Sequence, residues 1–141
     1  MSKNESQSVL MRYAAAGYLD WNAGPYSVID RVSAGDRLAL DAYMGGIRRS
    51  RVSDPSRIRV DGGSSGEQTV KCLYHLDLYN KAISVIPAEF IGVVRRVCVE
   101  DEPIKVSGKP LDVKRQLYAA RVDLCRGLDR LVKYYKAKKI L

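Results

Sequence analysis

The stretch that decides the fold is the end of the chain, residues 109–141, which reads KPLDVKRQLYAARVDLCRGLDRLVKYYKAKKIL. At a spacing of three or four residues, its apolar side chains form one helical stripe: Val113, Leu117, Ala120, Leu124, Leu128, Leu131 and Tyr135. Cations lie beside or opposite that stripe: Lys114, Arg115, Arg121, Arg126, Arg130, Lys133 and Lys136. Pro110 suits a first helical turn, and Asp112 complements the positive end of the helix dipole. The pattern predicts one long basic helix from Pro110 to about Lys138.

Composition favours a polyanionic partner for a single helical domain. The chain has 141 residues and carries 24 Lys and Arg against 16 Asp and Glu, a net charge of +8, and 46% of it is hydrophobic. No apolar run is long enough to span a bilayer, and residues 1–6 do not resemble a signal peptide, so no membrane partner is expected. Three widely spaced Cys suit free thiols in a reducing compartment. We therefore expect a cytoplasmic protein of a bacterial cell or a phage-infected host.

The rest of the chain also reads as helices. A first helix is predicted over residues 9–19, followed by a Gly24-Pro25 break and a short apolar turn at residues 26–29. Ser33 and Asp36 have capping-box spacing, which predicts a second helix over residues 34–49. A third helix is predicted from Glu67 to Ser84, and a fourth from Pro87. With no period-2 stretch longer than residues 104–106, the predicted fold is all-α.

A basic hinge divides the chain into three parts. An N-terminal helical part covers residues 1–47, the hinge covers 48–66, and a C-terminal helical unit covers 67–141. The hinge is rich in arginine and then in glycine and serine. Its arginines could neutralise phosphates or enter a narrow minor groove: Arg48, Arg49, Arg51, Arg57 and Arg59. A solvated connector is the alternative.

The last two helices have the order of a helix-turn-helix. The sequence predicts a helix from residue 87, a short connection and a basic helix from residue 110. In a helix-turn-helix, the start of the second helix would lie near base edges in a major groove, with Lys114 and Arg115, and with Gln116 and Tyr118. An antiparallel helical hairpin with a solvated charged face is the alternative, and periodicity does not separate the two.

Signals for catalysis or metal binding are weak. The residue types of a zinc site occur at Cys72, His75, Cys98 and Cys125. However, Cys98 and Cys125 are isolated in sequence and suit apolar stripes. The Gly/Ser run at 62–66 lacks the Lys-Ser/Thr end of a phosphate-binding loop, and no Gly-x-Ser-x-Gly motif occurs. We expect no enzymatic activity, no cofactor and no metal.

Several short motifs resemble a known domain family. They are Arg59-Val60-Asp61-Gly62-Gly63, Ile86-Pro87, Val97-Cys98, Leu124, Leu128-Asp129-Arg130-Leu131 and Tyr134-Tyr135. Together they resemble an uncharacterised alphaproteobacterial family found in phage-like genes and at the C-terminus of helix-turn-helix regulators. The tail is more distantly similar to the sigma-factor region-4-like module of phage late-operon regulators. The resemblance covers about residues 34–137 and implies a role in transcription regulation.

The sequence therefore predicts a phage-type transcriptional regulator that contacts duplex DNA through the last helix and the Arg-rich arm. On the last helix the expected contacts are Lys114, Arg115, Arg121, Arg126, Arg130 and Lys133. One alternative is a packaging adaptor of the small-terminase type, which would form a homo-oligomeric ring detectable by light scattering. Another is a protein-interaction module that engages RNA polymerase through exposed Tyr and Leu rather than cations. A salt titration of DNA binding would distinguish it from the regulator and the packaging adaptor.

Overall fold

A computed structural model describes residues 7–21, 24–47 and 65–141 of the chain. Its five α-helices are α1 (Val9–Ala15), α2 (Val28–Met44), α3 (Ser65–Ser84), α4 (Ala88–Val94) and α5 (Pro110–Ala137). After α4 the chain continues as a π-helical turn, Arg95–Val99, and an irregular connection over residues 100–109 leads into α5. These three ranges contain no strand, which confirms the all-α prediction for them. None of their helices is long and apolar enough to cross a membrane.

The long last helix is confirmed almost to the residue. Pro110 occupies its first turn with Asp112, and the helix ends at Ala137, one residue before the predicted Lys138. The apolar stripe, however, is buried only in its second half, from Leu124 onward. Upstream of Leu124, no residue of α5 is fully buried. The first half of α5 therefore extends beyond the core.

The prediction for α2 is wrong at both ends. The helix begins at Val28, where Ser27 Oγ accepts from the Asp30 backbone N–H at 3.2 Å and Asp30 Oδ2 accepts from the Ser27 N–H at 3.4 Å. The capping box is thus Ser27–Asp30 rather than Ser33–Asp36. Of the apolar turn predicted at residues 26–29, Val28 and Ile29 belong to the first turn of the helix. Two Ser-x-x-Asp runs compete here, and the earlier start allows Arg31 to be buried. The helix ends at Met44 rather than at residue 49.

The other boundaries differ less from the predictions. α1 ends at Ala15 rather than Leu19, because Gly17 adopts a φ of +86° and the following turn buries Leu19 in the core. α3 begins two residues earlier than predicted and ends at Ser84 as predicted. α4 follows Pro87 as predicted. The π-helical turn was not predicted, and it buries three consecutive residues at 97–99.

Residues from both sides of the predicted hinge share one hydrophobic core. α2 packs against α1, α3, α5 and the π-helical turn, and α4 packs against α5. At the centre of this arrangement Gly35 of α2 lies so close to Leu10, Cys98 and Leu128 that a side chain there would overlap Leu10. This packing buries the second half of α5 against the body, whereas no residue of its first half is fully buried.

α4 packs tightly against α5 at Gly127, and this contact yields a testable prediction. A Cβ atom at position 127 would overlap Val94 Cγ2 and lie 3.3 Å from Phe90 Cβ. Alanine favours a helix over glycine by about 1 kcal/mol. We nevertheless expect Gly127→Ala to lower the free energy of unfolding by about 1–3 kcal/mol, because the helices must separate to accept it. Urea denaturation measures this change.

Gly92 provides the matched control. It lies in the middle of α4 and is exposed, and a Cβ added there meets no other atom within 4 Å. Gly92→Ala should therefore raise the free energy of unfolding by about 0.5–1 kcal/mol. If both substitutions stabilise the protein, the close packing of α4 on Gly127 is wrong.

Candidate nucleic-acid interface

Four cations form a stripe on the solvent side of α5: Arg115, Arg126, Arg130 and Lys133. We call these four residues the cation stripe. At 100° per residue, Arg115, Arg126 and Lys133 lie within about 20° of one another, and Arg130 lies about 40–60° away. All four are exposed, and they lie opposite the buried face of Leu124, Leu128, Leu131 and Tyr135. The sequence-predicted separation of a core face from a basic face is therefore present in the structure.

The cation stripe is long enough to follow a nucleic-acid backbone. From Arg115 to Lys133 the helix rises about 27 Å. Phosphates of one DNA strand recur roughly every 3.4 Å along the duplex axis, so the stripe can lie beside several of them. Exposed guanidinium and ammonium groups on a rigid helix suit this contact, because they need no rearrangement of the fold.

The other two predicted cations of α5 lie on a different side. Lys114 and Arg121 are within about 20° of each other around the helix and about 100° or more from Arg115. Lys114 is exposed, whereas Arg121 is half-buried with its guanidinium carbon 4.4 Å from the ring centroid of Tyr18 and 5.8 Å from that of Tyr118. The structure thus divides the predicted set of six into two faces.

Arg126 in the cation stripe is held by an aromatic partner that the sequence did not indicate. Its guanidinium carbon lies 5.5 Å from the ring centroid of Trp21, and that of Arg31 lies 5.7 Å from the same ring. Arg31 in turn is almost fully buried and donates to both carboxylate oxygens of Asp129 on α5. Trp21 and Arg31 therefore attach the loop before α2 to the middle of α5 and orient Arg126.

Gln116 is occupied by the connection before α5. Its Oε1 accepts from the Ser107 N–H at 3.3 Å, and its Nε2 donates to the Ser107 carbonyl at 2.7 Å. These two hydrogen bonds use the amide oxygen and the amide nitrogen of Gln116, the groups that would pair with an adenine. The expectation that Gln116 faces a base is therefore not supported by this geometry, while Lys114, Arg115 and Tyr118 remain exposed.

The arginines of the predicted arm lie outside the described residues. They are Arg48, Arg49, Arg51, Arg57 and Arg59. The arm follows Ile47, three residues after the end of α2, and the described chain resumes at Ser65. Its proposed contact with phosphates stays a prediction.

The histidine has a structural partner. Asp41 of α2 is fully buried, and its Oδ1 lies 2.9 Å from Nδ1 of His75 on α3, while Oδ2 accepts from Nε of Arg37 at 3.2 Å. The contact joins α2 to α3.

The cysteines are spread through the body of the protein. Burial raises the pKa of the Cys98 thiol, and burial likewise raises that of Cys125, so both side chains stay protonated and behave as small apolar groups. Within residues 7–21, 24–47 and 65–141, no three His, Cys, Asp or Glu side chains lie together where they could hold a metal ion.

Comparisons of the chain with protein-family models, curated proteins and solved structures found no match. The resemblance suggested by the short motifs therefore stays a prediction.

Proposed function

We propose that this protein binds duplex DNA through α5 and acts as a phage-type transcriptional regulator. The observation that carries the proposal is the cation stripe, Arg115, Arg126, Arg130 and Lys133, exposed along the side of α5 that faces away from the core. The net charge of +8 supports the same class of partner. The role in regulation rests on the resemblance of the sequence motifs to phage-associated regulators.

The first half of α5 is the part best suited to enter a groove. No residue between Pro110 and Asp123 is fully buried, and a helix with its side chains is roughly 10–12 Å across, close to the roughly 12 Å width of the major groove. In this arrangement α4 packs on the second half of α5, at Gly127, and would support α5 as the first helix of a helix-turn-helix supports the second. Lys114 and Arg115 would then lie nearest the bases, and Arg126, Arg130 and Lys133 would contact phosphates.

The salt dependence of binding tests the proposal. With about five phosphate contacts, the logarithm of the affinity for a duplex should fall against the logarithm of salt concentration with a slope of about −4 to −5. Replacing Arg115, Arg130 and Lys133 together with glutamine should flatten this slope by up to about 3 units, because three counterion-releasing contacts are lost. Fluorescence anisotropy of a labelled duplex at several salt concentrations measures both slopes.

A charge-matched control separates the cation stripe from the overall charge. Arg12 on α1, and Lys71 and Lys81 on α3, are exposed and lie off α5. Replacing these three with glutamine removes the same net charge and should change the slope by less than about 1 unit. Failure to bind at low salt, a flat salt response, or equal losses in the two triple variants would contradict the proposal.

A further inference from the structure

A second face of α5 combines apolar and cationic side chains in its first half. Leu111, Lys114, Tyr118 and Arg121 lie within about 80° of one another around the helix, and we call them the aromatic face. Leu111 and Tyr118 are 62% and 60% exposed, among the most exposed large apolar side chains of the described residues. Arg115 of the cation stripe borders this face, about 40° from Leu111 and about 60° from Tyr118, whereas Arg126, Arg130 and Lys133 lie further along the helix.

The charge on the aromatic face suits an anionic partner. The two carboxylates in this half of α5, Asp112 and Asp123, lie about 100° or more from every member of the face. Lys114 and Arg121, with Arg115 at the border of the face, are therefore the charged groups in this half of α5 that a partner would meet there. A purely apolar partner would have to bury these cations without compensation, which is unfavourable.

The tyrosine ring on this face is held beside a cation. The guanidinium carbon of Arg121 lies 4.4 Å from the ring centroid of Tyr18 and 5.8 Å from that of Tyr118. Arg121 therefore lies between the half-buried ring of Tyr18 and the exposed ring of Tyr118. The position of Arg121 next to Tyr118 is thereby fixed before any ligand arrives. An exposed aromatic ring with fixed and flexible cations beside it is the arrangement that binds unpaired bases and their phosphates.

We propose that the aromatic face binds single-stranded DNA, with an unpaired base stacked on Tyr118 and the flanking phosphates paired with Lys114 and Arg121. In a duplex the faces of the bases are covered by their neighbours, so an aromatic ring gains stacking energy only from an unpaired base. The inference rests on the proposed function in that DNA is the partner, but it uses residues outside the cation stripe.

Two substitutions at Tyr118 test the stacking. Affinities of the full-length protein for a labelled oligothymidylate of about 20 nucleotides and for a duplex of equal length are measured by anisotropy. Tyr118→Ala should weaken binding of the single strand roughly five- to fifty-fold and leave duplex binding within about two-fold, whereas Tyr118→Phe should keep both. Tyr43→Ala is the matched control, since Tyr43 is a 52% exposed tyrosine on α2. It should change neither affinity.

The outcomes distinguish the two proposals. A wild-type protein that binds neither DNA overturns both, and one that binds the duplex but not the single strand overturns this inference alone. Equal effects of Tyr118→Ala and Tyr43→Ala, or a Tyr118→Phe variant as weak as Tyr118→Ala, would exclude stacking on this ring. A poly-glutamate peptide that competes as well as the oligothymidylate would instead assign the aromatic face to acidic protein segments.

Discussion

Replacing Asp129 with alanine is expected to lower the free energy of unfolding by about 3–5 kcal/mol. Asp129 Oδ1 lies 2.7 Å from Arg31 Nε and Oδ2 lies 3.1 Å from Arg31 Nη2, and Arg31 Nη1 donates to the Leu19 carbonyl at 2.7 Å. Arg31 is 1% exposed. Without Asp129 the guanidinium would remain buried without its hydrogen-bonded counter-charge and with only the weaker influence of Asp20, which is the costly outcome for a buried ion pair.

Asp129 favours the charged form of Arg31. Burial lowers the pKa of the guanidinium, but the hydrogen bond and the charge of Asp129 outweigh it and raise the pKa above its usual value. Arg31 therefore stays charged beside Asp129. Because an arginine is not deprotonated in proteins, losing Asp129 leaves the guanidinium charged and without its ion-pair partner.

The comparison variants are Asp123→Ala and the double variant Arg31→Met with Asp129→Leu. Asp123 lies six residues earlier on α5, half-buried, and its loss should change the free energy of unfolding by less than about 0.5 kcal/mol. The double variant removes both charges and should recover much of the loss. Guanidinium chloride denaturation followed by circular dichroism gives all three values. A loss below about 1 kcal/mol for Asp129→Ala would mean that the pair does not hold α2 to α5.

Leu124→Ala is the second large expected effect. Leu124 is fully buried at the point where α5 enters the core, so truncation should leave a cavity and lower the free energy of unfolding by about 2–5 kcal/mol. Leu111→Ala is the same substitution on the same helix, at a side chain that is 62% exposed, and should change it by less than about 0.5 kcal/mol. The same denaturation experiment measures both, and similar losses for the two variants would contradict a core that begins at Leu124.

The candidate interface was partly predictable from the sequence. The cations of α5 could be located because a helix places residues by a fixed angle, so the cation stripe follows from sequence spacing alone. Spacing does not reveal which of those cations have partners. Tyr18 lies about a hundred positions before Arg121, and Trp21 lies as far before Arg126, so these contacts exist only after the chain has folded.

The sequence by itself determined the helical class and the bounds of α5. The signals are local: a proline in the first turn, an aspartate that complements the helix dipole, and an apolar residue at every third or fourth position. It did not determine where α2 begins. Ser27–Asp30 and Ser33–Asp36 offer the same local cap, and the tertiary structure selects the first, whose helix includes Arg31 on the buried side facing Asp129. Nor did the sequence show that α5 leaves the core before Leu124. The apolar stripe continues unchanged from Val113 to Tyr135, and only the packing of the other helices decides which part of it is covered.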